Sequence, residues 1–157
     1  MAQNIIVITG ERGAGKTRYC LEQLDLARMD GLRTAGIISP AVYDEDLKTA
    51  FYTMDADTME QRICGTHRPG AGTIGHWHMD PDVLAWGNEL LKHSCPCDLL
   101  FIDELGPLEL DKHQGYTAAF EVLRTGKFET AYVVIRPECI DAFRQYIPEF
   151  EIIRIER

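Results

Sequence analysis

The chain has 157 residues, 45% hydrophobic and 26% charged, enough for one globular domain over residues 1–157 and too short for two ordinary ones. The same balance excludes disordered, collagenous and coiled-coil classes. With 25 acidic against 16 basic residues the net charge is −9, and no basic stripe is present to neutralise a phosphate backbone, so nucleic acid is not an expected partner.

In chain order, the β-branched run NIIVIT (4–9) ends at Gly10 and is followed by mixed helical spacings of Tyr19, Leu21, Leu24, Leu26 and Ala27 over 16–29, which predicts strand, turn and helix. Gly31 is the expected helix stop, and AGIIS (35–39) reads as a buried strand cut by Pro40. From 40 to 80, polar loops separate short alternating segments, KTAFYTMD (48–55), QRIC (61–64) and TIGHWHM (73–79), which predicts antiparallel hairpin strands. Asp80 followed by Pro81 marks a helix start with an acidic cap and a first-turn proline. DLLFIDE (98–104) has the composition of a fully buried strand. A helix over 115–124, the strand AYVVIR (131–136), a helix from Pro137 to Tyr146 and a last strand EIIRI (151–155) complete an alternating pattern. That pattern implies a parallel sheet covered on both faces.

GERGAGKT (10–17) is a G-x-x-x-x-G-K-T loop between an apolar strand and a helix, the context in which such a loop cradles phosphates. Gly10, Gly13 and Gly15 permit backbone angles that turn successive N–H groups inward at the positive end of the helix. The candidate nucleotide-binding residues are Gly10, Glu11, Arg12, Gly13, Ala14, Gly15, Lys16, Thr17 and Arg18. Lys16 supplies a point charge to the β and γ phosphates, and the Thr17 hydroxyl suits Mg²⁺.

Such a loop needs a second metal ligand, usually an aspartate at the end of a neighbouring apolar strand, and Asp103 after LLFI meets that description. Glu104 follows it. On an extended strand its carboxylate points elsewhere and can orient an attacking water. Arg136, at the end of another strand on the edge where ligands collect, is the candidate for stabilising charge.

FIDELGPLEL (101–110), with GERGAGKT and AGIISPAV (35–42), resembles the small nucleoside-triphosphatase family that includes the cancer-related nucleoside triphosphatase of higher organisms and relatives in thermophiles. A D-E-x-G-x-x-E-L signature forms the metal-binding strand end in that family. The resemblance spans Ile5 to about Ile155. It implies an α/β, three-layer P-loop NTPase with a mainly parallel sheet and an inserted antiparallel hairpin. It also implies Mg²⁺-dependent hydrolysis of ATP, GTP and other nucleoside triphosphates. Lys16 and Thr17 then carry phosphate and metal roles, Asp103 the metal and Glu104 the water, while Glu109 is an acidic position without a derived role. The chain departs from the pattern at Arg18, where many P-loop proteins have a second hydroxyl, in lacking an asparagine-arginine segment after the last strand, and in the histidine-rich GHWHM (75–79).

His76 and His78 share a strand face and read as a solvent- or substrate-facing pair. A zinc site with Cys64, His67, Cys95 and Cys97 is disfavoured because no C-x-x-C pair is present. The five cysteines read as thiols. The loop of His113, Gln114 and Tyr116 reads as ordinary solvated loop. No apolar stretch reaches bilayer length and the first ten residues lack an export signal, so no membrane contact and a cytoplasmic location are expected. Two other functions fit less well. One is a small nucleotide or metabolite kinase, for which only Arg62 and Arg68 suggest a lid; the other is a nucleotide-dependent switch acting through a protein partner.

Overall fold

A computed structural model describes residues 3–67 and 77–156. The apolar strand β1 (Asn4–Thr9) runs into the phosphate loop and α1 (Lys16–Met29). Gly31, at φ +74°, lets the chain leave α1 by a turn in which its N–H donates to Arg28 and the Leu32 N–H to Ala27. The buried strand β2 (Thr34–Ile38) follows. Next come β3 (Ala41–Asp44), β4 (Leu47–Asp55), β5 (Gln61–His67) and β6 (Trp77–Met79).

Helix α2 (Pro81–Lys92) starts where the sequence predicts: the Asp80 carboxylate accepts from the Asp82 N–H (2.9 Å) and Pro81 fills the first turn. Beyond it lie β7 (Cys97–Leu105), the single turn α3 (Pro107–Leu110), α4 (Ala118–Thr125) and β8 (Phe128–Ile135). A 3₁₀ turn (Pro137–Cys139), α5 (Ile140–Arg144) and β9 (Glu151–Arg154) end the described chain.

The strands form one sheet in the order β6-β5-β4-β2-β7-β8-β1-β9, with β3 added against β4. The five strands β2, β7, β8, β1 and β9 are parallel, and β3 to β6 are antiparallel. This is the expected mainly parallel sheet with an antiparallel insertion. Alternation along the central strands divides the core. Ile8, Ile38, Phe101 and Val134 pack with Cys20 and Leu24 of α1 on one face. Val7, Ile37, Ile102 and Val133 pack with Leu91, Phe120 and Phe143 on the other, under α2, α4 and α5. Fully burying an aliphatic side chain of this size stabilises by about 1.5–3 kcal/mol, so both layers hold the sheet.

Several boundaries differ from the sequence reading. Residues 41–44 (AVYD) are short and mostly exposed, and form a strand by pairing with β4. The helix placed at 115–124 begins at Ala118, since Tyr116 is used as a core side chain. The strand placed from Ala131 begins at Phe128, and Arg136 falls one residue beyond it. The helix placed from Pro137 to Tyr146 is a 3₁₀ turn followed by five α-helical residues. The segment 73–76, including His76, and Arg68 lie outside the described residues. His78 sits half-buried on β6 opposite Thr66.

Candidate active site

Sheet register brings the sequence-distant candidates to one edge. Val7 is level with Val133, Val133 with Ile102, and Ile102 with Ile37. Two residues further along these parallel strands, the carboxyl edge therefore carries the start of the phosphate loop, the Asp103 and Glu104 pair, the approach to Arg136, and Ser39. The strand of Asp103 does not adjoin β1, as a neighbouring-strand reading would have it, because β8 runs between them. The reach across is made by α1.

In the loop, Gly10, Gly13 and Gly15 have φ of +156°, +77° and +106°, values a side chain resists. Gly10 is closed from behind as well, since a Cβ there would strike the carbonyl of Ile155. The Lys16 ammonium donates to the carbonyls of Gly10 (2.7 Å) and Glu11 (3.1 Å), which fixes it at the mouth of α1. Arg12 and Arg18 are both exposed.

The Thr17 hydroxyl donates to Asp103 Oδ2 at 2.8 Å, and the Ser39 N–H reaches the same oxygen at 3.2 Å. Asp103 is only 3% exposed. Burial, with the Glu104 charge beside it, pushes its carboxyl up to about 7 despite these two hydrogen bonds. No cation is within ion-pair distance of it among the described residues. A buried carboxyl and a hydroxyl 2.8 Å apart, without a counter-charge in contact, are the hard oxygen donors that suit Mg²⁺.

The peptide joining Asp103 to Glu104 is cis, and the pairing with β8 shifts register between Ile102 and Leu105. Glu104 faces Arg136. Its Oε2 lies 3.6 Å from Arg136 Nε, an ionic contact too long for a hydrogen bond, and that Nε is buried without a hydrogen-bond partner among the described residues. Glu138 approaches the same nitrogen at 3.9 Å.

Glu109 gains a role that its position in the sequence did not reveal. Its carboxylate, 5% exposed, accepts from the N–H of Gly106 (3.0 Å) and of Tyr116 (2.9 Å), so it ties the turn after Glu104 to the next loop. Burial raises its pKa although both hydrogen bonds favour the charged form. Tyr116, read from sequence as part of a solvated loop, is buried, and its hydroxyl meets Thr53 of β4 and Cys64 of β5. His113 packs on Tyr146. Arg62 pairs with Glu60 (2.8 Å) and lies over Trp86, an arrangement that commits it to the surface of the insertion. The five cysteines are free, and no group of three or more His, Cys, Asp or Glu side chains among the described residues is arranged to hold a metal ion. No helix of the described residues is long and apolar enough to cross a membrane.

One site residue escaped the sequence reading. Lys48 of β4 is half-buried and its ammonium feels the charges of Glu104, Asp103, Arg12 and Arg136. Only the folded path of the insertion brings it there, and the alternation of KTAFYT does not point to it.

A loop of this geometry at a helix start, facing a buried aspartate across a threonine hydroxyl, defines a nucleotide-binding P-loop protein. The chain matches the NTPase family over residues 5–157. It belongs to that family and is a nucleoside-triphosphatase. The nucleoside-triphosphatase THEP1 of Methanosarcina barkeri is 27% identical over 150 residues, covering 94% of this chain and 86% of that protein. THEP1 of Methanosarcina acetivorans is 31% identical over 125 residues, covering 78% and 71%. In fold, the chain is similar to the solution structure of a human cancer-related nucleoside triphosphatase, with a TM-score of 0.71 at 16% identity, covering 98% of this chain and 88% of that one. The crystal structure of THEP1 from Aquifex aeolicus gives a TM-score of 0.62 at 18% identity, covering 97% and 90%.

Proposed function

We propose that the protein hydrolyses ATP, GTP and other nucleoside triphosphates to the diphosphate and inorganic phosphate in a Mg²⁺-dependent reaction, at a site within a single domain. The observation that carries this reading is the Thr17–Asp103 contact of 2.8 Å beside the phosphate loop, since it joins a phosphate-binding helix start to a buried carboxyl that lacks a counter-ion in contact. Thr17 and Asp103 would hold Mg²⁺, which when bound neutralises charge on the β and γ phosphates. The backbone N–H groups of residues 10–18 and the Lys16 ammonium would hold the phosphates in line.

Glu104 is the residue for the water. Its carboxylate is half-exposed, its charge acts on Asp103, and Arg136 at 3.6 Å orients it without closing a hydrogen bond. It accepts a hydrogen bond from the water whose oxygen attacks the γ phosphorus. The partly exposed Arg136 side chain would then supply positive charge near the phosphoryl oxygens.

Phosphate release from a panel of nucleoside triphosphates, with Mg²⁺ or with chelator and with or without small acceptor molecules, tests this. Release with several nucleotides that stops in chelator is expected. Transfer to an acceptor with negligible free phosphate would instead make the protein a kinase.

A further inference from the structure

The insertion that carries β3 and β4 reaches beyond the sheet edge on which the phosphate loop opens. Strand β4 pairs with β2 only through Met54 and Asp55, so its residues 47–53 run on past the carboxyl end of β2. Register shifts at Val42/Tyr43 and at Phe51/Tyr52 bend this ribbon, as bulges do. Lys48 is held near its tip, with its ammonium 5.1 Å from the ring centroid of Phe51 and 5.6 Å from that of Trp77.

Two aromatic faces orient a cation without neutralising it. The two nearby carboxyls are engaged elsewhere: Asp103 accepts from Thr17 and Ser39, and Glu104 faces Arg136. Lys48 makes no ion pair among the described residues, although the fields of Asp103, Glu104, Arg12 and Arg136 all act on it. Burial works against its charge and the two carboxyls work for it. A counter-ion for either carboxylate would sit against that carboxylate. The ribbon that carries Lys48 overhangs the carboxyl end of β2, where the Ser39 N–H meets Asp103 and the phosphate loop opens, so a half-buried ammonium without an ion-pair partner among the described residues is available to an anion bound at that edge.

We propose that Lys48 is a further catalytic residue, whose ammonium contacts a terminal-phosphate oxygen of the bound nucleoside triphosphate. This rests on the phosphohydrolase reading above. In the reaction the water oxygen forms a bond to the γ phosphorus and the bond from that phosphorus to the β–γ bridging oxygen breaks. The nucleoside diphosphate leaves with the electron pair, and the water proton passes to Glu104 and from there to solvent. Lys48 transfers no proton. It donates a hydrogen bond to an equatorial oxygen of the γ phosphate.

The test compares the parent with K48M, which keeps the apolar stem between the rings, with K48Q, which keeps a polar tip, and with K48R. Melting temperature, kcat and KM for ATP are measured with Mg²⁺, together with the affinity for ADP with and without aluminium fluoride, which mimics the phosphoryl group in flight. The expected result is a kcat at least about a hundredfold lower in K48M and K48Q, the scale of losing one preorganised charge-stabilising donor. ADP affinity should stay within about threefold, while the extra affinity conferred by aluminium fluoride falls by a factor comparable to that in kcat. K48R should recover much of both. Turnover within about threefold of the parent in a folded K48M or K48Q protein overturns the proposal. A slow variant that still gains parent-like affinity from aluminium fluoride also overturns it, since that result marks Lys48 as a support for the hairpin. A parent that binds ATP but releases no phosphate removes the hydrolase reading itself, and the role of Lys48 with it.

Discussion

The Thr17 hydroxyl donates to Asp103 Oδ2 at 2.8 Å, across 86 positions of sequence and past the intervening strand β8. The contact fixes the first turn of α1 against the end of β7, so the phosphate loop and the buried carboxyl are held together by one helix packed on one sheet face.

Lys16→Ala tests the phosphate side of that arrangement. The loop carbonyls of Gly10 and Glu11 lose their ammonium donor, and γ phosphate charge is left uncompensated in a partly shielded site. Turnover should vanish and triphosphate affinity should fall strongly, as read by phosphate release and by calorimetric titration. A folded variant with near-normal hydrolysis would remove the phosphate-loop account.

Asp103→Asn should separate stability from function. In the metal-free fold the carboxyl is raised from 3.8 to about 7, so the native state holds a proton that the unfolded chain has released between these values. Stability therefore falls as pH rises from about 4 through 7 and is level above, with a total cost of roughly 4 kcal/mol. The asparagine carbonyl can still accept from Thr17 and Ser39 without carrying charge. In chelator at pH 8 the variant should melt several degrees above the parent, with the gap narrowing toward pH 4, while Mg²⁺-stimulated turnover is lost. A variant that melts below the parent at pH 8 would show that no buried charge is being relieved.

The parallel half of the fold was legible because its strands are apolar runs bounded by Gly10, by Pro40 and by the Asp103-Glu104 pair near the end of β7, and because Asp80-Pro81 announces α2. The phosphate loop and the carboxylate pair were legible for the same reason: each is a local pattern at a strand end. What escaped depends on partners distant in sequence. Residues 41–44 become a strand only against β4, and Lys48 comes toward the site edge, without pairing with its carboxylates, only through the bulged ribbon. Tyr116 reads as a solvated loop residue because its neighbours His113 and Gln114 are polar, yet its hydroxyl finds Thr53 and Cys64 in the insertion and the ring is buried with it.

Glu109→Gln asks whether the third acidic position of the strand-end segment acts through the backbone. The parent carboxylate accepts from two buried N–H groups, and a glutamine amide can accept from one while presenting its own donor to the other. One buried N–H left unpaired costs about 1–3 kcal/mol. Denaturant titration should show a loss of that size, with KM for ATP changed little and kcat reduced as the turn after Glu104 loosens. Unchanged stability would mean that the turn rearranges around the new side chain.

The central claim is that Glu104 acts on the water and takes no part in holding the metal or the phosphates. Glu104→Gln keeps the size of the side chain and a polar contact to Arg136 while removing the charge that polarises water. Groups of this kind contribute about 10² to 10⁴ in rate, or roughly 3 to 5 kcal/mol of barrier. The direct measurement is single-turnover hydrolysis of ATP beside equilibrium binding of ATP with Mg²⁺. Binding within about tenfold of the parent and hydrolysis at least about a hundredfold slower is the predicted result. Parent values for both would contradict the account, and so would binding that collapses together with turnover, which would assign Glu104 to the metal site.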